Sequence, residues 1–71
     1  MTRLKINGVD EEVAASTVAQ LLAVRGIDPG APGARFLAVA VNGAVVRRAV
    51  WDAAALNPGD AVEIVRPLQG G

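Results

Sequence analysis

One group in this 71-residue sequence stands apart as able to carry covalent chemistry, the α-carboxylate of Gly71 in the closing Gly70-Gly71 pair. The chain has no cysteine, which excludes disulfides, thiolate metal sites and any thiol, persulfide or thioester on a side chain. It has no histidine, which removes the commonest general base and the commonest metal ligand. No side chain is therefore assigned a catalytic role, and no metal or resident cofactor is expected. A carboxylate acylates nothing until one oxygen becomes a better leaving group, and adenylation by ATP achieves that. Glycines suit a tail offered to another protein's active site: without a Cβ, Gly70 and Gly71 can thread a narrow channel and adopt backbone angles closed to other residues. Pro67 stiffens the start of this tail and cannot donate to a strand ladder. The reading is a domain of residues 1–66 followed by a flexible tail, residues 67–71.

Size and charge narrow the remaining classes. A chain this short buries only about 60% of the surface its unfolded form exposes, near the lower limit for folding without staples, so a free-standing enzyme is not expected. Lys and Arg total 7 against 7 Asp and Glu, and the only aromatics are Phe36 and Trp51. A nucleic-acid binder normally shows a basic stripe with stacking aromatics, so none is read here. The N-terminal residues lack an apolar signal core, and no run approaches the roughly 18 apolar residues of a membrane span. The expectation is a soluble cytoplasmic protein with no membrane partner.

The elements that must position the tail follow from periodicity. Leu4 and Ile6 alternate with Arg3 and Lys5 up to Asn7-Gly8, which suits a type I′ hairpin turn. Val9 to Val13 returns as a strand whose Asp10, Glu11 and Glu12 mark a wet, charge-protected edge. Thr17 and Gln20 have capping-box spacing, and Val18, Leu21, Leu22 and Arg25 recur at helical intervals. Gly26 closes that helix and Ile27 folds back onto its last turn. Residues 28–33, with Pro29, Gly30, Pro32 and Gly33, read as a surface loop. Because no helix follows its glycines directly, it is not a phosphate cradle, and ATP is left to a partner. Phe36 to Val41 reads as a strand, Asn42-Gly43 as a second hairpin turn, and Val45-Val46-Arg47 as its return. Trp51 to Leu56 suggests a helical or 3₁₀ turn, with Trp51 as a core plug. Asp60 is expected to organise the Asn57-Pro58-Gly59-Asp60 turn before a last strand, Ala61 to Val65. A single helix covering one small sheet is an α+β two-layer domain, and a crossover through that helix brings a later strand parallel to the first. This is the β-grasp (ubiquitin-like) layout, a mixed four- to five-stranded sheet with one main helix on one face.

The chain resembles the ubiquitin-like sulfur carriers of bacteria, the MoaD/ThiS superfamily, and among them most closely the ThiS family of thiamine biosynthesis. The likeness is carried by the first Asn7-Gly8 hairpin, Thr17-Val18 opening a helix with Leu21-Leu22, Val39-Ala40-Val41-Asn42-Gly43, Val45-Val46 with Arg48 and Trp51, Gly59-Asp60, Val62-Glu63-Ile64-Val65 and Gly70-Gly71. One departure is Arg47, where the family usually has proline before Arg48.

The resemblance implies a function. An E1-like adenylyltransferase of the ThiF type would adenylate Gly71. Sulfur arriving through a cysteine desulfurase would convert it to a thiocarboxylate, and a thiazole synthase of the ThiG type would accept the sulfur. Gly70, Gln69 and Leu68 would thread the partner's active site. It also implies that Leu4, Ile6, Val39, Val41, Val62 and Ile64 face the helix residues Val18, Leu21 and Leu22. Phe36, Ala38, Ala40, Glu63 and Val65 then lie on the open side of the sheet. There Phe36, Ala38, Ala40 and Val65 form an apolar patch, the candidate partner-docking face. Two alternatives stay open. One is a carrier for another pathway, such as a molybdopterin synthase small subunit or a secondary metabolite, and the other is a ubiquitin-like protein modifier.

Overall fold

In a computed structural model of the chain, residues 1–66 are described. The expected tail, with Leu68, Gln69, Gly70 and Gly71, lies outside them. Among these residues five strands and one α-helix are formed: β1 (Thr2–Ile6), β2 (Val9–Val13), α1 (Val18–Val24), β3 (Ala38–Val41), β4 (Ala44–Val45) and β5 (Ala61–Val65). The sheet order is β2-β1-β5-β3-β4, with β1 and β5 parallel and every other pair antiparallel. The expected β-grasp architecture is present. The last strand lies in the middle of the sheet, between the two hairpins.

Both Asn-Gly turns adopt the left-handed angles that the type I′ turn demands, with φ of 49° and 84° at Asn7 and Gly8 and of 52° and 83° at Asn42 and Gly43. One face of the sheet meets α1. Leu4, Ile6, Val39, Val62 and Ile64 are buried against Val18, Leu21 and Leu22, joined by Val13, Ala15, Ala34, Trp51 and Leu56. Burying each large aliphatic contributes about 1.5–3 kcal/mol. Val41, expected to face the helix, packs against this cluster half-buried at its rim, where β3 ends. Trp51 is 3% exposed, and its indole N–H donates to the Val46 carbonyl at 2.9 Å, so the plug is polar-satisfied.

Helix α1 has its first three N–H groups satisfied from outside the helix. Val18 N–H donates to Ala54 O and Ala19 N–H to Trp51 O, each at 3.0 Å, while Gln20 N–H donates to Thr17 Oγ1 at 3.2 Å. The capping-box expectation needs one correction. Gln20 Oε1 accepts from the N–H and the hydroxyl of Ser16, both at 2.8 Å, instead of from the Thr17 N–H. At the other end Gly26 takes φ of 81°, with Gly26 N–H on Ala23 O and Ile27 N–H on Leu22 O, the Schellman arrangement. Arg25 at this end bonds both carboxylate oxygens of Glu11 on β2, at 3.1 and 3.2 Å.

Three expected boundaries shift. The loop before β3 contains a 3₁₀ helix, Pro32–Phe36, so Phe36 is outside the sheet and β3 begins at Ala38. Proline opens this turn, buried Ala34 anchors it, and Leu37 N–H closes it on Ala34 O at 3.0 Å. The return strand is only Ala44–Val45, because Arg47 already opens a second 3₁₀ turn, Arg48–Val50. The turn expected from Trp51 therefore begins earlier, at Arg48, and continues through Ala53, with Ala53 N–H and Ala54 N–H on Val50 O at 3.0 and 2.8 Å. Arg47 has φ of −69°, an angle proline adopts freely, so a proline would fit the backbone at this position.

Asp60 organises its turn as expected and more. Its carboxylate accepts from Asn57 N–H at 2.9 Å and from Asn42 Nδ2 at 3.0 Å. Asn42 Oδ1 accepts from Ala61 N–H at 3.0 Å and Asn42 N–H donates to Ala61 O at 2.7 Å, pinning the start of β5 to the β3–β4 turn. The Asn57 and Asn42 donors, in that order, hold the Asp60 carboxyl below the usual aspartate range, against a smaller opposing effect of burial. A lowered folded-state pKa means stability that is fully present above the unfolded aspartate value, about 4, and is lost as pH falls through the folded value. Asp60→Asn keeps the shape and removes the titration. Denaturant midpoints measured from pH 6 down to pH 2.5 should fall more steeply for the unaltered chain than for Asp60→Asn, and parallel curves would contradict the assignment.

Candidate functional site

The site begins where β5 ends, since the expected reactive carboxylate lies six residues beyond Val65. On one side β5 is held by β3 through its last residue, with Val65 opposite Ala38 and Ile64 opposite Val39. On the other side β1 ends too early, at Ile6 opposite Val62. Asn7 makes up the difference. Its backbone N–H donates to Val62 O at 2.9 Å, and its side chain then acts as another rung of the ladder. Asn7 Oδ1 accepts from Ile64 N–H at 2.8 Å and Nδ2 donates to Ile64 O at 3.3 Å. Both backbone groups of Ile64 are thereby engaged beyond the end of the neighbouring strand. The strand is fixed on both edges up to the residue before Val65.

This role of Asn7 escapes a reading of Asn-Gly as turn chemistry alone. Asp or Gly can satisfy the same turn angles, but only a carboxamide both donates to and accepts from one backbone residue. The signal present in the sequence is the choice of asparagine in both hairpins, and the structure uses the carboxamide each time, once at each end of β5.

The sheet face turned away from α1 carries the other site residues. Ala38, Glu63 and Val65 are exposed on it and Ala40 is half-exposed, in register rows Val65–Ala38 and Glu63–Ala40–Val45. Val65 is 57% and Val45 75% exposed. Of the expected patch, the structure brings together Ala38, Ala40 and Val65. Phe36, 59% exposed, is not a strand residue, and lies in the 3₁₀ turn that leads into β3 with the Arg35 guanidinium 4.8 Å from its ring centroid. Val45 joins the patch and was not among the residues expected there, because a hairpin return of two residues gives no readable alternation. A shallow groove runs along the same face beside β5, lined by Lys5, Asn7, Gly8, Glu63, Val65 and Arg66 among others. Among the described residues no helix is long and apolar enough to cross a membrane.

Residues 4–71 match a model of the ThiS family, a span that takes in Gly70 and Gly71. Two solved structures are similar over 99% of this chain at 30% identity. One is the crystal structure of a thiamine biosynthesis protein (ThiS) from Geobacter metallireducens, all of whose chain is covered, with a TM-score of 0.76. The other is the NMR solution structure of a thiamine biosynthesis protein from the same organism, covered over 88% of its chain, with a TM-score of 0.75. No curated protein matches the chain.

The Asn7 clamp is separable from the Asn7 turn. Asn7→Gly keeps the left-handed angle and removes the carboxamide, whereas Asn7→Ala removes both. Amide exchange at Ile64 should accelerate in both variants, while global stability falls by about 1–2 kcal/mol in Asn7→Gly and by about 1–3 kcal/mol more in Asn7→Ala. Unchanged protection of Ile64 in Asn7→Gly would show that the side chain does not hold the strand.

Proposed function

This chain belongs to the ThiS family, and we propose that it is the sulfur carrier of thiazole formation in thiamine biosynthesis, with the α-carboxylate of Gly71 as the group that bears sulfur. The observation that carries the reading is the family match running from residue 4 through Gly70-Gly71. Crystal and solution structures of thiamine biosynthesis proteins with the same fold support it.

The chemistry divides between carrier and partners. An E1-like adenylyltransferase of the ThiF type directs a Gly71 carboxylate oxygen onto the α-phosphorus of ATP, forming the acyl adenylate and releasing pyrophosphate. The terminal sulfur of a persulfide, charged by a cysteine desulfurase, then attacks the acyl carbon and AMP leaves. A thiol reductant cleaves the sulfur–sulfur bond of the resulting acyl disulfide, leaving the thiocarboxylate. Ionised and soft, that sulfur attacks a substrate carbonyl held by a thiazole synthase of the ThiG type. The carrier contributes no acid or base to these steps. It contributes reach and presentation: six residues beyond Val65 span at most about 20 Å when extended, far enough to enter a partner's cleft while the folded domain stays outside. The patch of Ala38, Ala40, Val45 and Val65, with Phe36 at its edge, faces the partner as the tail enters. Leu68, Gln69 and Gly70 would thread the partner's active site ahead of the reacting carbon.

The test is intact mass. Incubated with its adenylyltransferase, ATP, a persulfide source and a thiol reductant, the chain should gain the mass difference of one sulfur replacing one oxygen. A variant lacking Gly71 should fold as before and gain nothing. Thiolation of that shortened chain would refute the assignment.

A further inference from the structure

The parallel ladder between β1 and β5 uses alternate residues of β1. Lys5 N–H donates to Asp60 O at 3.0 Å and Asn7 N–H to Val62 O at 2.9 Å. The next donor in that series is Val9, whose partner would be Ile64 O. The Asn7-Gly8 turn has already carried Val9 into β2, where it pairs with Ile6. Asn7 Nδ2 stands in its place, donating to Ile64 O at 3.3 Å. Asn7 Oδ1 accepts from Ile64 N–H at 2.8 Å, the bond that the Asn7 backbone carbonyl makes in an uninterrupted parallel ladder. One side chain thus supplies the last two bonds of a ladder whose backbone has turned away.

The opposite edge stops at nearly the same level. β3 and β5 pair Val39 with Ile64 and Ala38 with Val65. Leu37, next in that register and so opposite Arg66, donates its N–H to Ala34 O at 3.0 Å and closes the 3₁₀ turn. Arg66 belongs to no strand. The sheet therefore releases the chain at Ile64 on one edge and at Val65 on the other, and on the β1 side the release point is set by Asn7.

That point is the origin from which Gly71 is delivered. Six residues separate Val65 from Gly71, and each further residue freed from the sheet adds about 3.3 Å of reach. Attack by the Gly71 carboxylate needs the reacting atoms held about 3–3.5 Å apart, and a misplacement of about 1 Å can cost about 100-fold in rate. A shift of the origin by one residue exceeds that tolerance.

We propose that Asn7 is a positioning residue for the chemistry at Gly71: its carboxamide fixes where the chain leaves the sheet, and so sets how often the bound carrier presents its terminus in reacting geometry. The inference rests on the sulfur-carrier reading above. It assigns Asn7 an effect on the rate within the bound complex and none on the strength of binding. Asn42 is the internal comparison. It holds the same place in the other Asn-Gly turn, and its carboxamide also grips β5, at Ala61, the end remote from the tail.

The test is single-turnover adenylation, with the cognate adenylyltransferase in excess over carrier, saturating ATP and no sulfur source, the Gly71 acyl adenylate being followed by mass. The limiting rate constant and the half-saturating enzyme concentration are read separately. Fluorescence of the buried Trp51 checks that each variant is folded. Asn7→Gly keeps the turn angle, and should lower the limiting rate about 5- to 30-fold while leaving the half-saturating concentration within about 2-fold. Asn42→Gly removes the matching carboxamide and should change neither quantity. A limiting rate in Asn7→Gly no lower than in Asn42→Gly, or a loss confined to the half-saturating concentration, would overturn the inference and leave the carrier reading intact. No acyl adenylate from the unaltered chain would defeat both.

Discussion

The insertion of β5 between β1 and β3 is the interaction on which the rest of the fold depends. Two hairpins, β1–β2 and β3–β4, are each local, and neither covers enough apolar surface to persist alone. They become one sheet only when the last strand supplies a parallel ladder to one and an antiparallel ladder to the other. Val62 and Ile64 of that strand then complete the floor under Val18, Leu21 and Leu22. Each end of β5 is locked by an asparagine from a hairpin turn, Asn42 at Ala61 and Asn7 at Ile64. The segment beside the tail is thus held by ladder bonds on one edge and a carboxamide on the other.

Much of this was legible in the sequence, and the places that were not share a cause. The alternation in Leu4–Ile6 and Val62–Ile64, the two Asn-Gly turns and the Gly26 helix stop are local signals, and they locate β1, β5, both hairpin turns and the end of α1. Phe36 was misplaced because an apolar run of strand length does not distinguish a strand from a 3₁₀ turn leading into one, and Pro32 decides the matter by starting the turn. Arg47 was misplaced for a related reason: β4 is two residues long, too short for period two to show. The contacts that escaped altogether are those in which one residue serves distant backbone. The carbonyls of Trp51 and Ala54 receive the first N–H groups of α1, and Asn7 closes on Ile64 57 residues away. Their local spacing has the same form whether or not the distant partner exists.

The absence of cysteine and histidine acquires a positive sense in this setting. A carrier that holds sulfur on its terminal carboxyl needs no thiol, and one activated by other enzymes needs no general base. What the described residues supply is a five-stranded sheet and an outer face on which Ala38, Ala40, Val45 and Val65 lie beside the end of β5.

The central claim is that sulfur travels on Gly71 from the activating enzyme to the thiazole. Its most direct test is a single turnover in which the thiocarboxylate of the purified carrier bears isotopically heavy sulfur and the thiazole synthase is given unlabelled sulfide in excess. The account predicts heavy sulfur in the thiazole, in proportion to carrier consumed, with the carrier returning to its carboxylate mass. Thiazole bearing only light sulfur, with the label still on the carrier, would contradict it.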